Sequence, residues 1–136
     1  MPARDLAPIR STSMRFALVV DDELAVRYVL RRYLERCGWQ VLDAESAAGA
    51  MLLVADESRR IDVVVVDLHL PDDSGSTLCS RISAVRPSLA SRILVASGDA
   101  VEAGQALARE SLFCPVLAKP FHLTELERAL NGLVAA

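Results

Sequence analysis

The chain has 136 residues, 52% of them apolar, and a formal net charge of −3, enough for one domain with a sizeable core. Its 15 Lys and Arg are dispersed rather than gathered into a stripe, which argues against nucleic acid as a partner. No run approaches the roughly twenty apolar residues of a membrane span, so no membrane partner is expected.

Residues 1–14 include Arg4, Asp5, Pro8 and Arg10 and lack an apolar stretch of signal-peptide length; they read as a flexible leader to a cytoplasmic domain over 15–136. A short apolar run, 15–20, is followed at once by Asp21, Asp22 and Glu23, so the first strand ends in acid. From Leu24 the period changes. Val26, Val29, Leu30, Tyr33, Leu34 and Cys37 form one apolar stripe of a helix, with Arg27, Arg31, Arg32, Glu35 and Arg36 on a solvated face and Gly38 as the stop. Residues 39–44 read as a second strand near a sheet edge, and Ser46 caps a helix over 47–55.

The run Ile61-Asp62-Val63-Val64-Val65-Val66-Asp67 reads as a strand buried on both faces, as parallel sheets covered by helices require. Asp67 sits where it stops, and Pro71 and Gly75 turn the chain into a third helix with Leu78, Ile82 and Val85 inward, closed by Arg86-Pro87. A fourth strand, 92–97, ends in Ser97. Asp99 caps a weakly anchored helix to about residue 111, with Val101 and Leu107 as its apolar positions. A fifth strand over 113–118 ends in Lys119-Pro120. Leu123, Leu126, Leu130 and Leu133 stripe the last helix, with Thr124 and Glu127 at capping-box spacing. Cys37, Cys79 and Cys114 lack zinc spacing and read as small buried hydrophobes in a reducing compartment.

Strands alternating with helices imply a parallel sheet with right-handed crossovers, so Asp21-Asp22, Asp67, Ser97 and Lys119 arrive at one sheet edge. That is the edge where open α/β sheets bind ligands. Three carboxylates there repel one another unless a cation intervenes, and an all-oxygen donor set points to Mg²⁺. The ion, the Lys119 ammonium and the Ser97 hydroxyl together match the oxygens of a phosphoryl group in transfer, with a central Asp able to form an acyl phosphate.

In this order and at these strand ends, the acidic pair Asp21-Asp22, Asp67 in Asp-x-x-x-Pro-x-x-x-Gly, Ser97 after a hydrophobic strand, and Lys119 before Pro120-Phe121 resemble the receiver domain of two-component response regulators. The resemblance implies a flavodoxin-like doubly wound (βα)5 fold with a five-stranded parallel sheet in the order 2-1-3-4-5. It implies that Asp67 accepts phosphate from a phosphohistidine on a sensor histidine kinase or a histidine phosphotransfer protein. Asp22 and Asp67 would then bind Mg²⁺ directly, Asp21 largely through water, and the His69 backbone carbonyl as a further ligand. Ser97 and Lys119 would assist catalysis of the chain's own phosphotransfer, which is the only reaction expected of it. In the family an aromatic on the fifth strand turns inward with the Ser hydroxyl; here that switch position holds Val116, stiffer and smaller.

His69 and Asp99 stand at the site mouth, where they bear on access to Asp67 and where Asp99 is placed to pair with a protonated His69. Asp72 and Asp73 read as solvated loop acids and His122 as an exposed helix-start residue. The expected protein is a single-domain regulator, a phosphorelay shuttle or a receiver from a hybrid histidine kinase, with a downstream protein target and with homodimer formation open. Two alternatives stand beside this: a phosphorylation-independent binding module with the receiver fold, and a Mg²⁺-dependent aspartyl-phosphate phosphohydrolase. The latter needs a second Asp where this chain has His69.

Overall fold

Runs of Val, Ile and Leu form the strands, and stretches with a 3.6-residue apolar period form the helices between them. The computed structural model describes residues 14–135, so the expected leader falls outside the description except for Met14. In chain order the elements are β1 (Arg15–Val20), α1 (Leu24–Arg36), β2 (Trp39–Ala44), α2 (Ala47–Ala55), β3 (Val63–Asp67), α3 (Gly75–Val85), β4 (Ile93–Ser97), α4 (Ala100–Arg109), β5 (Val116–Ala118) and α5 (Leu123–Ala135). All strand pairs are parallel and the sheet order is β2-β1-β3-β4-β5, the doubly wound arrangement the sequence implies. Val20 lies opposite Val66 and Asp67 opposite Ala96, which brings the carboxyl ends of the central strands to one level.

Each face of the sheet has its own core layer. Leu18, Val20, Val64, Val66, Ile93 and Val95 point toward α2, α3 and α4, whose Ala50, Val54, Leu78, Cys79, Ile82, Ala103 and Leu107 cover them. Ala17, Val19, Val63, Val65 and Leu94 point the other way, toward Leu30 and Leu34 of α1 and Leu126 and Leu130 of α5. The alternation follows from the two-residue period of a strand, which here is apolar on both faces. Ser46 and Asp99 cap α2 and α4 as expected, accepting from the Gly49 and Glu102 amides. Gly38 ends α1 with φ +95°, a conformation that a side chain resists. Among the described residues no helix is long and apolar enough to cross a membrane.

Several expectations fail in detail. Val29, Val85 and Val101 are exposed rather than inward: the buried apolar positions of their helices are Leu30 and Leu34, Leu78, Cys79 and Ile82, and Ala103 and Leu107. The fifth strand covers only 116–118, and Phe113 is 94% exposed: the run 113–118 is apolar, but only its last three residues find a ladder partner. The α5 cap lies two residues earlier than Thr124 and Glu127, since the Glu125 carboxylate accepts from the His122 amide. Cys79 is buried, whereas Cys37 and Cys114 are only half-buried. Arg27, assigned to the solvated face of α1, is buried.

Candidate functional site

The acids of the site are placed by β1 and β3. Asp21 follows the last residue of β1, is 3% exposed, and is fixed on three sides. Its amide donates to the Ala44 carbonyl at 3.1 Å, its Oδ1 accepts from the Glu23 amide at 2.9 Å, and its carbonyl accepts from Arg27 Nη1 at 2.8 Å. Arg27 in turn lies near Asp43 and Glu45, so a buried cation anchors the backbone that carries the acidic pair. Asp22 is exposed at the rim.

Asp67 ends β3 with its side chain 12% exposed. The loop after it is tightly folded: His69 and Ser74 form a bridge, and the Gly75 amide donates to the Leu68 carbonyl at 2.6 Å. A Cβ at Gly75 would sit 2.4 Å from the Asp67 carbonyl oxygen and 2.7 Å from Leu68 Cα. The glycine is therefore required by close approach of α3 to the end of β3, not by a left-handed turn.

One ligand atom from each of Asp21, Asp22 and Asp67 falls within a common 4.8 Å. Lys119 reaches across from the end of β5, with Nζ 3.4 Å from Asp21 Oδ2 and 3.6 Å from Asp67 Oδ2. Burial pushes the Asp67 carboxyl above the usual carboxylate range; the His69 N–H and Lys119 oppose the rise, and Asp21 and Asp22 add to it. Such a group is costly to leave charged and gains most from a cation. Main-chain bonding also ties the lysine to the sheet, through the Lys119 amide to the Ser97 carbonyl at 2.8 Å, and the Lys119-Pro120 peptide is cis.

The structure thus brings four predicted site residues together: Asp21, Asp22, Asp67 and Lys119. Ser97 is at the same edge and 1% exposed, but its hydroxyl is engaged with its own loop, donating to the Asp99 carbonyl and accepting from the Asp99 amide, each at 3.0 Å. Asp99 itself caps α4. His69 pairs with Glu102 instead, Nε2 to Oε1 at 3.2 Å: Asp99 is engaged as the cap of α4, and the first turn of that helix presents Glu102. Val116 is half-buried opposite Val95 and packs on the α2, α3 and α4 side.

A family model described as the response regulator receiver domain matches residues 17–131. This chain belongs to the receiver domain family. Over 119 residues it is 36% identical to the DNA-binding transcriptional regulator NtrC of Azospirillum brasilense, covering 85% of this chain and 24% of that protein. It is 34% identical over 141 aligned residues to the sensor histidine kinase AruS of Pseudomonas aeruginosa, covering 91% of this chain and 12% of that one. The chain therefore spans only a small part of these relatives' length. Among solved structures, a CheY-like receiver domain from Methylobacillus flagellatus is similar at a TM-score of 0.77 and 30% identity, covering 89% of this chain and 99% of that one.

Three contributors to this receiver site escape the sequence. Arg27 looks like one more charge on a helix face; only its burial under the β1 end marks it. Asp72 is not a free loop acid, since its two carboxylate oxygens accept from the Ala47 and Ala48 amides at 2.9 Å and dock the β3–α3 loop on the start of α2. Those amides lie 25 and 24 residues from Asp72 along the chain, too far for any local pattern to reveal. Glu102 carries no signal beyond its place in the first turn of α4.

Proposed function

We propose that this receiver domain takes a phosphoryl group onto Asp67 from a phosphohistidine of a sensor histidine kinase or phosphotransfer protein, and passes the change to a downstream protein target or the phosphate to another histidine. The observation that supports this most is the juxtaposition of three carboxylates within 4.8 Å with one ammonium 3.4 and 3.6 Å from two of them. The donor set is all hard oxygen, which fits Mg²⁺ better than a metal that prefers nitrogen or sulfur. Asp21, Asp22, Asp67 and the His69 carbonyl are the residues that would hold it. Bound there, Mg²⁺ supplies the positive charge that lets the acids and an incoming phosphate approach one another.

In this reading an Asp67 Oδ attacks phosphorus, the P–N bond to the donor imidazole breaks, and an acyl phosphate forms. Asp67 can do this only ionised, and the ammonium of Lys119 both favours that form and sits within reach of the new phosphoryl oxygens. Ser97 contributes by exchanging its bonds to the Asp99 backbone for one to the phosphate. That exchange loosens the start of α4, because Asp99 is its cap. Val116 has no ring to follow the hydroxyl inward, so the proposed output runs through the β4–α4 loop more than through a side-chain flip on β5. The proposal concerns the receiver chemistry, which regulators and sensor kinases among its relatives both provide a setting for.

The test is intact-mass spectrometry of wild type and Asp67→Asn after incubation with acetyl phosphate, with and without Mg²⁺. A single phosphate adduct on wild type alone, dependent on Mg²⁺, is the expected result. No adduct from acetyl phosphate or from a phosphorylated histidine donor would overturn it in favour of a phosphorylation-independent binding module.

A further inference from the structure

The topology that gathers acids at the carboxyl ends of the strands gathers guanidinium groups at the amino ends. Arg15 opens β1, Arg92 immediately precedes β4, and Arg60 and Asp62 lead into β3; these three strands are neighbours in the sheet. Dispersed along the sequence, the three arginines line one cavity of about 390 Å³ together with Asp62 and with Val134 of α5. The cavity lies at the opposite end of the sheet from Asp21, Asp67 and Lys119 and shares no residue with that site.

This cavity holds more positive charge than its one carboxylate compensates. Asp62 is already committed: its Oδ2 accepts from the Phe16 amide at 2.8 Å and lies 3.2 Å from Arg60 Nε. Arg15 donates from Nη1 to the neutral side-chain carbonyl of Asn131 on α5. Among the described residues the half-buried Arg92 side chain has no hydrogen-bond or ion-pair partner. Two of the guanidinium groups are braced as well, with Arg15 Cζ 4.6 Å from the centroid of the Trp39 ring and Arg60 Cζ 5.3 Å from that of Phe16. Side chains stacked in this way have less freedom to lose on binding. Like charges held together around one acid repel one another, and a multivalent anion among them relieves that repulsion.

We propose that the cavity lined by Arg15, Arg60 and Arg92 is a binding site for a small solute carrying two linked phosphoryl groups, either inorganic pyrophosphate or a nucleoside diphosphate. A guanidinium fork donates paired hydrogen bonds to phosphoryl oxygens, and arginines from three strand ends can engage both groups of one pyrophosphate from different sides. The charge is confined to a cavity rather than drawn out along a groove, which favours a small solute over a nucleic-acid strand. A second cavity of about 360 Å³, with Phe16, Val41 and Leu42 in its lining, shares Arg60 with the first and leaves room for the organic body of a nucleotide. Binding here requires neither Asp67 nor Mg²⁺.

Isothermal titration calorimetry in Mg²⁺-free, low-salt buffer tests this with pyrophosphate, ADP and citrate in separate runs. Pyrophosphate should bind at one site per chain and change the emission of Trp39, the only tryptophan, whose ring the Arg15 guanidinium covers. Arg60→Gln and Arg92→Gln should each weaken binding about tenfold, the loss of one charge-assisted contact. Asp62→Asn keeps an acceptor for the Phe16 amide but removes the competing charge, so it should tighten binding, a result that a poorly folded chain does not give. Asp67→Asn should bind pyrophosphate as wild type does. ADP bound more tightly than pyrophosphate means that the cavity beside Phe16 takes the nucleoside, and equal affinity means that the phosphate pair alone is recognised; either supports the site. No binding to wild type, binding that survives both arginine substitutions unchanged, binding lost in Asp67→Asn, or citrate held as tightly as pyrophosphate would each overturn it.

Discussion

β3 and β5 deliver opposite charges to the same edge of one sheet, and they are built to different standards. Four of five β3 residues are fully buried between both core layers, and Gly75 locks the strand's end against α3. β5 has three residues, none fully buried, one ladder partner in β4, and an exposed segment leading into it. The carboxylate is held rigidly and the ammonium on a lighter arm. In the proposed phosphotransfer the acids would have to keep a cation and a phosphate in register while the lysine would only have to follow the charge, so stiffness would be concentrated where that geometry matters most.

The largest way to break this contrast is Gly75→Ala. Its Cβ would collide with backbone at 2.4 and 2.7 Å, where no side chain can yield, so we expect a loss of about 3 kcal/mol or more by urea unfolding. Gly38→Ala, whose Cβ would meet nothing within 4 Å, should cost only about 1 kcal/mol, for the left-handed φ alone. Next comes a matched pair of truncations. Val64→Ala in β3 empties a site with no exposed surface and should cost about 2 kcal/mol, whereas Val116→Ala in β5 should cost about 1 kcal/mol or less. Equal losses would mean that the two strands are packed alike. Native-state hydrogen exchange should agree, with β5 amides opening well before those of β3.

The same contrast explains what the sequence disclosed. The β3 run and the acids at its end were plain because buried parallel strands have a composition that little else produces, and the order of strand ends places Asp21, Asp22, Asp67 and Lys119 together once the topology is known. The extent of β5 was not plain. An apolar stretch such as 113–118 becomes strand only as far as a neighbour offers a ladder, and that depends on β4. The pairings His69 with Glu102, Asp72 with the start of α2, and Arg27 beneath Asp21 are contacts between segments far apart in sequence, set by loop paths that no period encodes. Gly75 was found for the wrong reason: a turn was expected, and a steric approach is what needs it.

The acids themselves sharpen the contrast through pH. Asp67 is harder to ionise in the folded chain than in the unfolded one, so the folded state holds its proton more tightly, and this residue's contribution to stability falls as pH rises through that window. Without Mg²⁺, Asp67→Asn should therefore be more stable than wild type at neutral pH. The gain should fade as pH drops below the carboxylate range, which parallel urea titrations at several pH values would show. A variant less stable than wild type at neutral pH would mean that the charge is already compensated without the metal.

Lys119→Met tests the light arm and should have the smallest effect. Its side chain is 29% exposed, and ion pairs of that exposure are worth about 1 kcal/mol or less. Losing the ammonium nevertheless leaves Asp67 facing Asp21 and Asp22 with less compensation, which drives its carboxyl further from ionising. In Mg²⁺-free buffer at neutral pH the variant should be less stable than wild type by a few tenths up to about 1 kcal/mol. The difference should shrink as pH falls and Asp67 takes up its proton, because the repulsion needs the charged form. Adding Mg²⁺ should shrink it too, since a cation at the acids replaces the one removed. If the deficit survived both acid and Mg²⁺, the lysine would be acting through its packing beside Phe121 rather than through its charge, and β5 would be a structural strut instead of a carrier of charge.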